Sequence, residues 1–289
     1  MMSINPQNKL SKSELAKSLG ISRSSLYYQP KGPVRDLMIK RKILAVLATY
    51  PSYGHRRIAI ELRLNKKGIR RIMKKFSIKP YRRRPKRPVK KDDLGQPAVI
   101  YQNEIKDLII NRPNFVWAGD FTYLSFEGEF IYLATIIDLF TREIVGWNVS
   151  KKHDANLVLG ALEMALDKTK KTPCYHHSDQ GSEYRSIIYI NRLKENDIII
   201  SMSQKGHPWE NGFQESFYSQ FKLDLGDPNR FATLGELIEE IYLTMHKYNT
   251  KRIHTQLKTS PQTFRNQYLL KETLKSLKNI NFQTLRQSV

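Results

Sequence analysis

The spacing of apolar residues divides the chain into two parts with different periodicity. Up to about residue 80, apolar positions recur every three or four residues, as in amphipathic helices. The pattern predicts two short helices within 10–30, a helix from about Val34 to Tyr50, and a helical pair within 53–80. The first part of the chain is therefore expected to be all-α.

Beyond Pro97 the apolar runs become aromatic and β-branched, with short turns between them. Such runs predict strands rather than helices. In chain order we expect strands at 115–126, 129–140 and 142–150, a helix capped by Asp154, a strand at 173–179, a helix at 182–196, a strand at 198–203, and helices at 207–224 and 234–249. This order predicts an α/β fold with a mixed five-stranded sheet.

The segment 10–30 has the spacing of a helix-turn-helix. Ser11 and Glu14 match a capping box, Gly20 suits the turn, and Ser22 is placed to cap the second helix. In this arrangement the second helix offers side chains to the major groove of DNA. The predicted DNA contacts are Arg23, Ser24, Tyr27 and Tyr28. A plain helical hairpin is the alternative interpretation.

Positive charge is concentrated in the first third of the chain. The 289 residues have a net charge of +22, but residues 1–91 hold 26 Lys/Arg against 3 Asp/Glu, and the remainder is nearly neutral. A block of this charge repels itself unless it meets a polyanion, so we expect nucleic acid as the partner. A membrane surface is the alternative, but the sequence lacks a lipidation motif and a basic aromatic helix.

Two stretches of this basic third carry predicted phosphate contacts. The helical pair within 53–80 contributes Arg56, Arg57, Arg70, Arg71 and Lys74. The segment 79–91 has eight basic residues and three prolines, which keep it extended. Its predicted contacts are Arg82, Arg83, Arg84, Lys86 and Arg87. We interpret it as a linker that follows phosphates; a solvated tether is the alternative.

Composition excludes several classes of protein. The one cysteine, Cys174, excludes a disulfide framework and a four-cysteine zinc site. The first residues lack the apolar region of a signal peptide, and no apolar run approaches the ~18 residues of a membrane span. We therefore expect a reduced, soluble, cytoplasmic protein.

Three acidic residues stand in unusual contexts. Asp120 lies inside the first predicted strand, where Asp is disfavoured and an unpaired buried carboxylate is costly. Asp179 ends the fourth strand in a Ser-Asp-Gln-Gly-Ser sequence that, taken alone, is a good turn. Glu215 lies on a polar helical stripe with Asn211 before it and Lys222 after it. The aromatic residues of the same helix are expected to face the core: Trp209, Phe213, Phe217 and Phe221.

The predicted sheet would bring these acids together. Its first strand is central and its fourth pairs beside it, so Asp120 and Asp179 would stand side by side and the next helix could lay Glu215 across them. Three carboxylates at one point need cations, and oxygen ligands suit Mg²⁺. We expect two Mg²⁺ (or Mn²⁺) ions, which would activate a nucleophile and stabilise the leaving oxygen of a phosphodiester.

Three sequence blocks resemble those of a known superfamily. Residues 117–124 (WAGDFTYL), 176–184 (HHSDQGSEY) and 206–222 (GHPWENGFQESFYSQFK) look like the motif blocks of DDE transposases and retroviral integrases. The 35 residues between Asp179 and Glu215 match the D-35-E spacing of that superfamily. One residue departs from the family pattern. The acid before Asn211 in the third block is Glu210, where the family usually has Asp.

More closely, the chain is similar to the insertion sequence three family of bacterial transposases over residues 53–264. The resemblance implies an RNase H-like core. It implies an enzyme that binds terminal inverted repeats, cleaves with water and joins the freed 3′-OH to target DNA, as a homo-oligomer in a bacterial, nucleoid-associated setting. It gives catalytic and metal-binding roles to Asp120, Asp179 and Glu215. The resemblance also implies a DNA contact at Lys222. A second DNA contact is predicted at Asn211, on the same polar helical stripe.

Other interpretations of the whole chain and of single motifs stay open. The chain could be a non-catalytic DNA-binding regulator on an RNase H scaffold, or a structure-selective nuclease. Asp138 is interpreted as a turn residue that could pair with Arg142. Alternation sends His176 and His177 to opposite faces of their strand, which argues against a shared zinc ion. The segment 252–254 (RIH) could contact DNA or pack.

The expected fold class is α/β: an RNase H-like core with a mixed five-stranded sheet, preceded by small all-α helix-turn-helix modules. The expected domains are a DNA-binding helix-turn-helix at 1–30, a second helical DNA-binding module at 31–80, a basic linker at 81–98, the catalytic core at 99–265 and a C-terminal tail at 266–289.

Overall fold

The structure, a computed structural model, describes residues 11–27, 32–81, 101–204 and 208–287. Several predictions lie outside the described residues. They concern the DNA contacts at Tyr28, Arg82, Arg83, Arg84, Lys86 and Arg87, and the orientation of the Trp209 side chain.

The first part of the chain is helical, as predicted. It contains α1 (Lys12–Ser18), a 3₁₀ helix (Arg23–Tyr27), α2 (Gly32–Thr49), α3 (His55–Glu61) and α4 (Lys66–Lys75). The predicted capping box is confirmed, because the Ser11 side chain accepts from the Glu14 N–H and the Glu14 carboxylate accepts from the Ser11 N–H at 2.8 Å. The second helix of the predicted helix-turn-helix is the five-residue 3₁₀ helix. Ser22 caps it by accepting from the Ser25 N–H at 3.2 Å.

The mixed five-stranded sheet is confirmed. Its strands are β1 (Val116–Phe126), β2 (Glu129–Asp138), β3 (Ile144–Ser150), β4 (Tyr175–Ser178) and β5 (Ile199–Met202). The order across the sheet is β3-β2-β1-β4-β5, with β1, β2 and β3 antiparallel and β1, β4 and β5 parallel. Glu127 and Gly128 both have positive φ, the backbone that a two-residue hairpin between right-twisted strands requires.

Helices cover both faces of the sheet. One face packs against α5 (Ala155–Thr169) and α6 (Ile187–Glu195), the other against α7 (Gly212–Leu225) and α8 (Leu234–Thr250). Asp154 caps α5 by accepting from two backbone N–H groups, as the sequence predicts. The central strand β1 contributes alternate residues to both cores: Val116 and Ala118 to the α7 and α8 side, and Trp117 to the α5 and α6 side.

Three helical details differ from the sequence expectation. Helix α6 begins at Ile187 rather than at residue 182, so Glu183 lies in the preceding turn. The predicted tail is largely a helix, α9 (Pro261–Gln287), which runs across the expected boundary at residue 265. Phe213 is 40% exposed instead of facing the core. A four-residue repeat drifts about 40° per step around an α-helix, so four such residues cannot share one buried face.

The described part of the chain contains no helix that combines the length and the apolar character needed to span a membrane.

Helix α5 lies directly on β3 at Gly146. A Cβ added there would stand 2.1 Å from the Ala161 carbonyl oxygen and 2.8 Å from the Ala165 Cβ. The obstacle is helix backbone, which cannot rotate away as a flexible side chain could.

We predict that Gly146→Ala destabilises the protein by roughly 1–3 kcal/mol through overpacking, measured by urea unfolding. The matched control is Gly68→Ala, because Gly68 lies inside α4 with open space around its Cβ position. The control should be neutral or stabilising by about 0.4–1 kcal/mol. Equal unfolding midpoints for the two variants would contradict the close approach of α5 to β3.

Candidate active site

The strand register places Asp120 and Asp179 at neighbouring positions. The parallel pairing of β1 and β4 ends at the pair Ala118 and His177, and each acid lies two residues further along its strand. Both acids are half-buried. Because side chains alternate along a strand, Asp120 shares the face of Ala118, which packs towards α7 and α8.

Glu215 comes to this face from the first turn of α7, where its side chain is exposed. The charges of the other two acids act on the pKa of Asp120. Burial raises the pKa of Asp120 to about 8, and the negative charges of Asp179 and then Glu215 add to the shift. Lys222, whose ammonium lies 5.0 Å from the centre of the Tyr123 ring, lowers the pKa of Asp120.

Burial also raises the pKa of Asp179, while a hydrogen bond from the Gly181 N–H, 2.9 Å from its Oδ1, opposes the shift. The next contribution comes from Glu183, which raises the pKa of Asp179 further. Glu183 was expected only at a helix start; it is buried in the turn before α6, with Oε1 2.9 Å from His153 Nδ1. A further acid, Glu183, therefore lies close to Asp179, and the spacing of acids along the sequence did not predict it.

A buried polar clamp, formed by Thr135, Gln214 and Tyr218, fixes α7 against the sheet. The Gln214 amide donates to the Ala118 carbonyl at 2.6 Å, and the Tyr218 hydroxyl donates to the Asp120 carbonyl at 2.6 Å. The Thr135 hydroxyl on β2 lies 3.1 Å from Gln214 Oε1 and 2.8 Å from the Tyr218 hydroxyl. The clamp ties the helix that carries Glu215 to the strand that carries Asp120. The sequence patterns above did not predict the clamp. A Gln on the buried face of an aromatic helix is the signal that could have indicated it, because a buried amide needs hydrogen-bond partners.

The donor set of the three acids fits a hard divalent cation. It offers only carboxylate oxygens, the ligands that Mg²⁺ prefers, and the repulsion that raises the pKa of Asp120 would be relieved by a cation. The described residues do not, however, contain a ready-made cluster of three His, Cys, Asp or Glu side chains close enough to hold an ion. The structure thus brings the three acids to one face without drawing their side chains together.

The histidines of β4 have separate partners. His176 Nε2 lies 2.9 Å from the Tyr189 hydroxyl, and His177 Nδ1 lies 2.9 Å from the Ser201 hydroxyl. Burial lowers the pKa of His176 to about 3 and that of His177 to about 4, so both are neutral at pH 7. These contacts support the sequence argument against a shared zinc ion.

Asp138 is a turn residue, as interpreted, but its partners differ from the expected one. Its carboxylate accepts backbone N–H groups of Asn114, Phe140 and Thr141 at 2.6–3.1 Å. Arg142 instead lies over the ring of Phe213, with 4.1 Å between the guanidinium carbon and the ring centre.

The predicted DNA contacts that the structure describes fall into three groups. Exposed side chains are Arg23, Ser24, Tyr27, Arg56, Arg70 and Lys74. Arg71 is exposed but forms a two-bond ion pair with Asp36, which occupies part of its guanidinium. Arg57 and Lys222 are half-buried and Asn211 is buried. Contact with DNA stays a prediction for all of them.

Comparison with known proteins identifies similar chains. The family described as "Integrase core domain" matches residues 110–208, and a second family of the same description matches residues 196–261. The putative transposase InsK for insertion sequence element IS150 of Escherichia coli (strain K12) is 31% identical over 268 residues, covering 88% of this chain and 93% of that protein. The transposase for insertion sequence element IS904 of Lactococcus lactis is 40% identical over 155 residues, covering 53% and 61%.

Two solved structures are similar at low identity. The magnesium complex of the HTLV-2 integrase catalytic core domain has a TM-score of 0.42 at 17% identity, over 53% of this chain and 97% of that chain. The simian T-cell lymphotropic virus intasome in complex with PP2A regulatory subunit B56 gamma has a TM-score of 0.47 at 14% identity, over 76% and 73%.

We predict that Tyr218→Phe destabilises the protein by roughly 1–3 kcal/mol, because it removes the hydroxyl that donates to the Asp120 carbonyl and leaves the Thr135 hydroxyl with Gln214 as its one remaining side-chain contact in the clamp. Urea unfolding measures the change. The control is Tyr242→Phe on α8, an exposed tyrosine whose loss of a hydroxyl should cost less than about 0.5 kcal/mol. If the two variants unfold at the same urea concentration, the clamp contributes nothing.

Proposed function

This chain belongs to the insertion sequence three family of transposases, which carry an integrase core domain, and we propose that it cleaves and joins DNA at that core with two divalent metal ions. Asp120, Asp179 and Glu215 are the proposed catalytic and metal-binding residues.

The observation that carries the proposal is the placement of Asp120, half-buried on the central strand next to Asp179 and near the first turn of α7, where Glu215 lies; the raised pKa of Asp120 agrees with this placement. A carboxylate that is half-buried and repelled by two further acids is a poor structural element and a good cation ligand. The sheet holds Asp120 and Asp179 at adjacent positions, and the clamp of Thr135, Gln214 and Tyr218 holds α7 beside them. Glu215 lies in the first turn of that helix.

The chain's own residues divide the work in this proposal. Asp120, Asp179 and Glu215 would hold the cations through their carboxylate oxygens. Two bound Mg²⁺ ions would supply an activated water or 3′-OH and stabilise the leaving oxygen. Lys222, close enough to Asp120 to act on its pKa, offers its positive charge to a neighbouring DNA phosphate.

The partners in this proposal are double-stranded DNA and further copies of the chain. The excess of Lys/Arg in residues 1–91 would bind the terminal inverted repeats and target DNA, while the nearly neutral remainder carries the acids. Joining two ends to one target requires at least two active sites, so we propose a dimer or larger assembly on DNA.

We predict that Asp120→Asn, Asp179→Asn and Glu215→Gln each lower cleavage and strand joining by at least about 10³-fold, because each removes one anionic metal ligand. The assay uses duplexes that carry the sequences flanking the gene, either intact or pre-cut at the 3′ end. The matched control is Asp167→Asn, whose side chain is 82% exposed on α5. Wild-type activity in Asp120→Asn would contradict the assignment.

The same assay separates the alternative functions. A structure-selective nuclease would hydrolyse but would not join the pre-cut 3′ end, and a non-catalytic regulator would bind the duplex without either reaction.

We also predict that Mg²⁺ raises the Tm of the protein by mass action and leaves the Tm of Asp120→Asn unchanged. Differential scanning calorimetry measures both, with Asp167→Asn responding like the wild type. An equal rise in Asp120→Asn would place the cation elsewhere. Removal of the metal with EDTA should abolish cleavage and joining while duplex binding persists.

A further inference from the structure

A cavity of about 410 Å³ lies where the second helical module meets the catalytic core. Its wall includes Arg57 from α3, Arg142 from the turn after β2, and Arg252 and His254 from the segment after α8. We call these four residues and the space between them the arginine pocket. Phe213, from the first turn of α7, also lines the cavity.

The arginine pocket has an excess of positive charge. Arg252 is fully buried and forms an ion pair with Asp224, which also accepts its hydrogen bond. Arg57 and Arg142 have no carboxylate within ion-pair distance in the described part of the chain. Burial lowers the pKa of Arg57 and Arg142, and Arg252 adds to the shift of Arg57. Neither guanidinium group therefore forms an ion pair within the described residues, and Asp138 and Asp224 act on them only at longer range.

Hydrogen-bond donors in the pocket also lack partners. Within the described residues, the buried Nη1 of Arg142 and the buried Nδ1 of His254 make no hydrogen bond. Burial lowers the pKa of His254 to about 4, with further contributions from the three arginines, so the ring is neutral and can present one N–H. Buried donors without acceptors cost free energy, and an anion in the cavity would satisfy them.

The arginine pocket is held rigid before any ligand arrives. Gln220 Oε1 on α7 lies 3.1 Å from Arg57 Nη1 and 2.7 Å from Arg252 Nη2. The Thr255 hydroxyl accepts from Arg57 Nε at 3.0 Å, and the Phe213 ring supports Arg142 from below. Guanidinium groups fixed in this way lose little conformational entropy on binding a phosphate.

Two features indicate a phosphate of a polymer rather than a small free anion. Thr255 lines both the arginine pocket and a second cavity. Basic side chains line this second cavity, four from the α3–α4 region and one from the segment after α8. These are Arg56, Arg63, Lys66, Lys67 and Lys258. At its other end the arginine pocket is lined by Gly212, Phe213 and Ser216, on the same turns of α7 as Glu215. Basic side chains of the helical module thus line a cavity that adjoins the arginine pocket at Thr255, and the arginine pocket also reaches the first turns of α7, the helix that carries Glu215.

We propose that the arginine pocket binds one backbone phosphate of the DNA end whose neighbouring phosphodiester is processed at Asp120, Asp179 and Glu215. The inference rests on the proposed function, since it names a contact to the same DNA substrate. It assigns Arg57 and Arg142 to the phosphate and gives Arg252 the task of holding α7 and the helical module together through Gln220 and Asp224.

The first test measures DNA binding in EDTA, where no cleavage occurs, by fluorescence anisotropy with the flanking duplex at several salt concentrations. Arg142→Gln and Arg57→Gln should each lower affinity about tenfold and reduce the slope of log K against log salt by about 1. The control is Arg192→Gln on α6, a partly exposed arginine on the other face of the sheet, which should keep both values. Unchanged affinity and slope in Arg142→Gln would overturn the proposal.

The second test locates the phosphate. Duplexes with a single uncharged methylphosphonate at successive linkages near the cleavage site should show one linkage at which the wild type loses affinity and Arg142→Gln loses none. The proposal is overturned if the variant loses as much as the wild type at every sensitive linkage. It is also overturned if inorganic phosphate raises the Tm of the wild type but not of Arg142→Gln while duplex binding is equal, because the pocket would then be a small-anion site.

Folding and catalysis are kept apart in these tests. Each variant is checked for a wild-type unfolding transition, and Arg142→Lys, which keeps the charge but not the planar guanidinium, serves if Arg142→Gln does not fold. Arg142→Lys should recover part of the salt slope. Failure of the proposed function would appear as intact binding without metal-dependent cleavage or joining, whereas failure of the pocket would appear as a wild-type binding profile in the arginine variants.

Discussion

The arrangement of this protein depends on a few buried hydrogen bonds between α7 and the central strand β1. Gln214 and Tyr218 donate to the carbonyls of Ala118 and Asp120, and Thr135 closes the set from β2. In a low-dielectric core such bonds cannot be exchanged for water, so the helix has one rotation and one height on the sheet. The same helix carries Glu215 in its first turn, and the negative charge of Glu215 acts on Asp120.

The second constraint is electrostatic, and it destabilises the folded protein where the hydrogen bonds stabilise it. The fold gathers like charges twice: acids within β1 and just after β4, and guanidinium groups in the arginine pocket. Both clusters are costly in the isolated protein, since burial raises the pKa of Asp120 and lowers the pKa of Arg57. In our proposals a ligand of opposite charge relieves each cluster, a divalent cation in one case and a phosphate in the other. In these proposals both ligands belong to one reaction, because the cation acts on a phosphodiester of the same DNA that the arginine pocket binds.

The helical module is tied to the core by specific polar contacts. The Ile253 N–H donates to the Tyr53 hydroxyl at 2.8 Å, Lys247 donates to the Thr49 carbonyl at 3.0 Å, and Gln220 on α7 joins Ser52 and Arg252. These contacts connect α7, the helix that carries Glu215, to the basic helices. In a transposase, such a connection would hold the bound DNA end in a fixed position relative to the acids.

The sequence by itself determined the strands, the caps at Ser11 and Asp154 and the three candidate acids. Periodicity and capping are encoded within a few residues, and each acid stands in a short motif of its own. Only the tertiary structure decided which side chains meet across long separations. Phe213 was expected in the core and lies beneath Arg142; Glu183 was placed at a helix start and is buried behind Asp179. The clamp and the arginine pocket join segments far apart in the chain. Their partners are set by how helices pack on the sheet, which no local pattern contains.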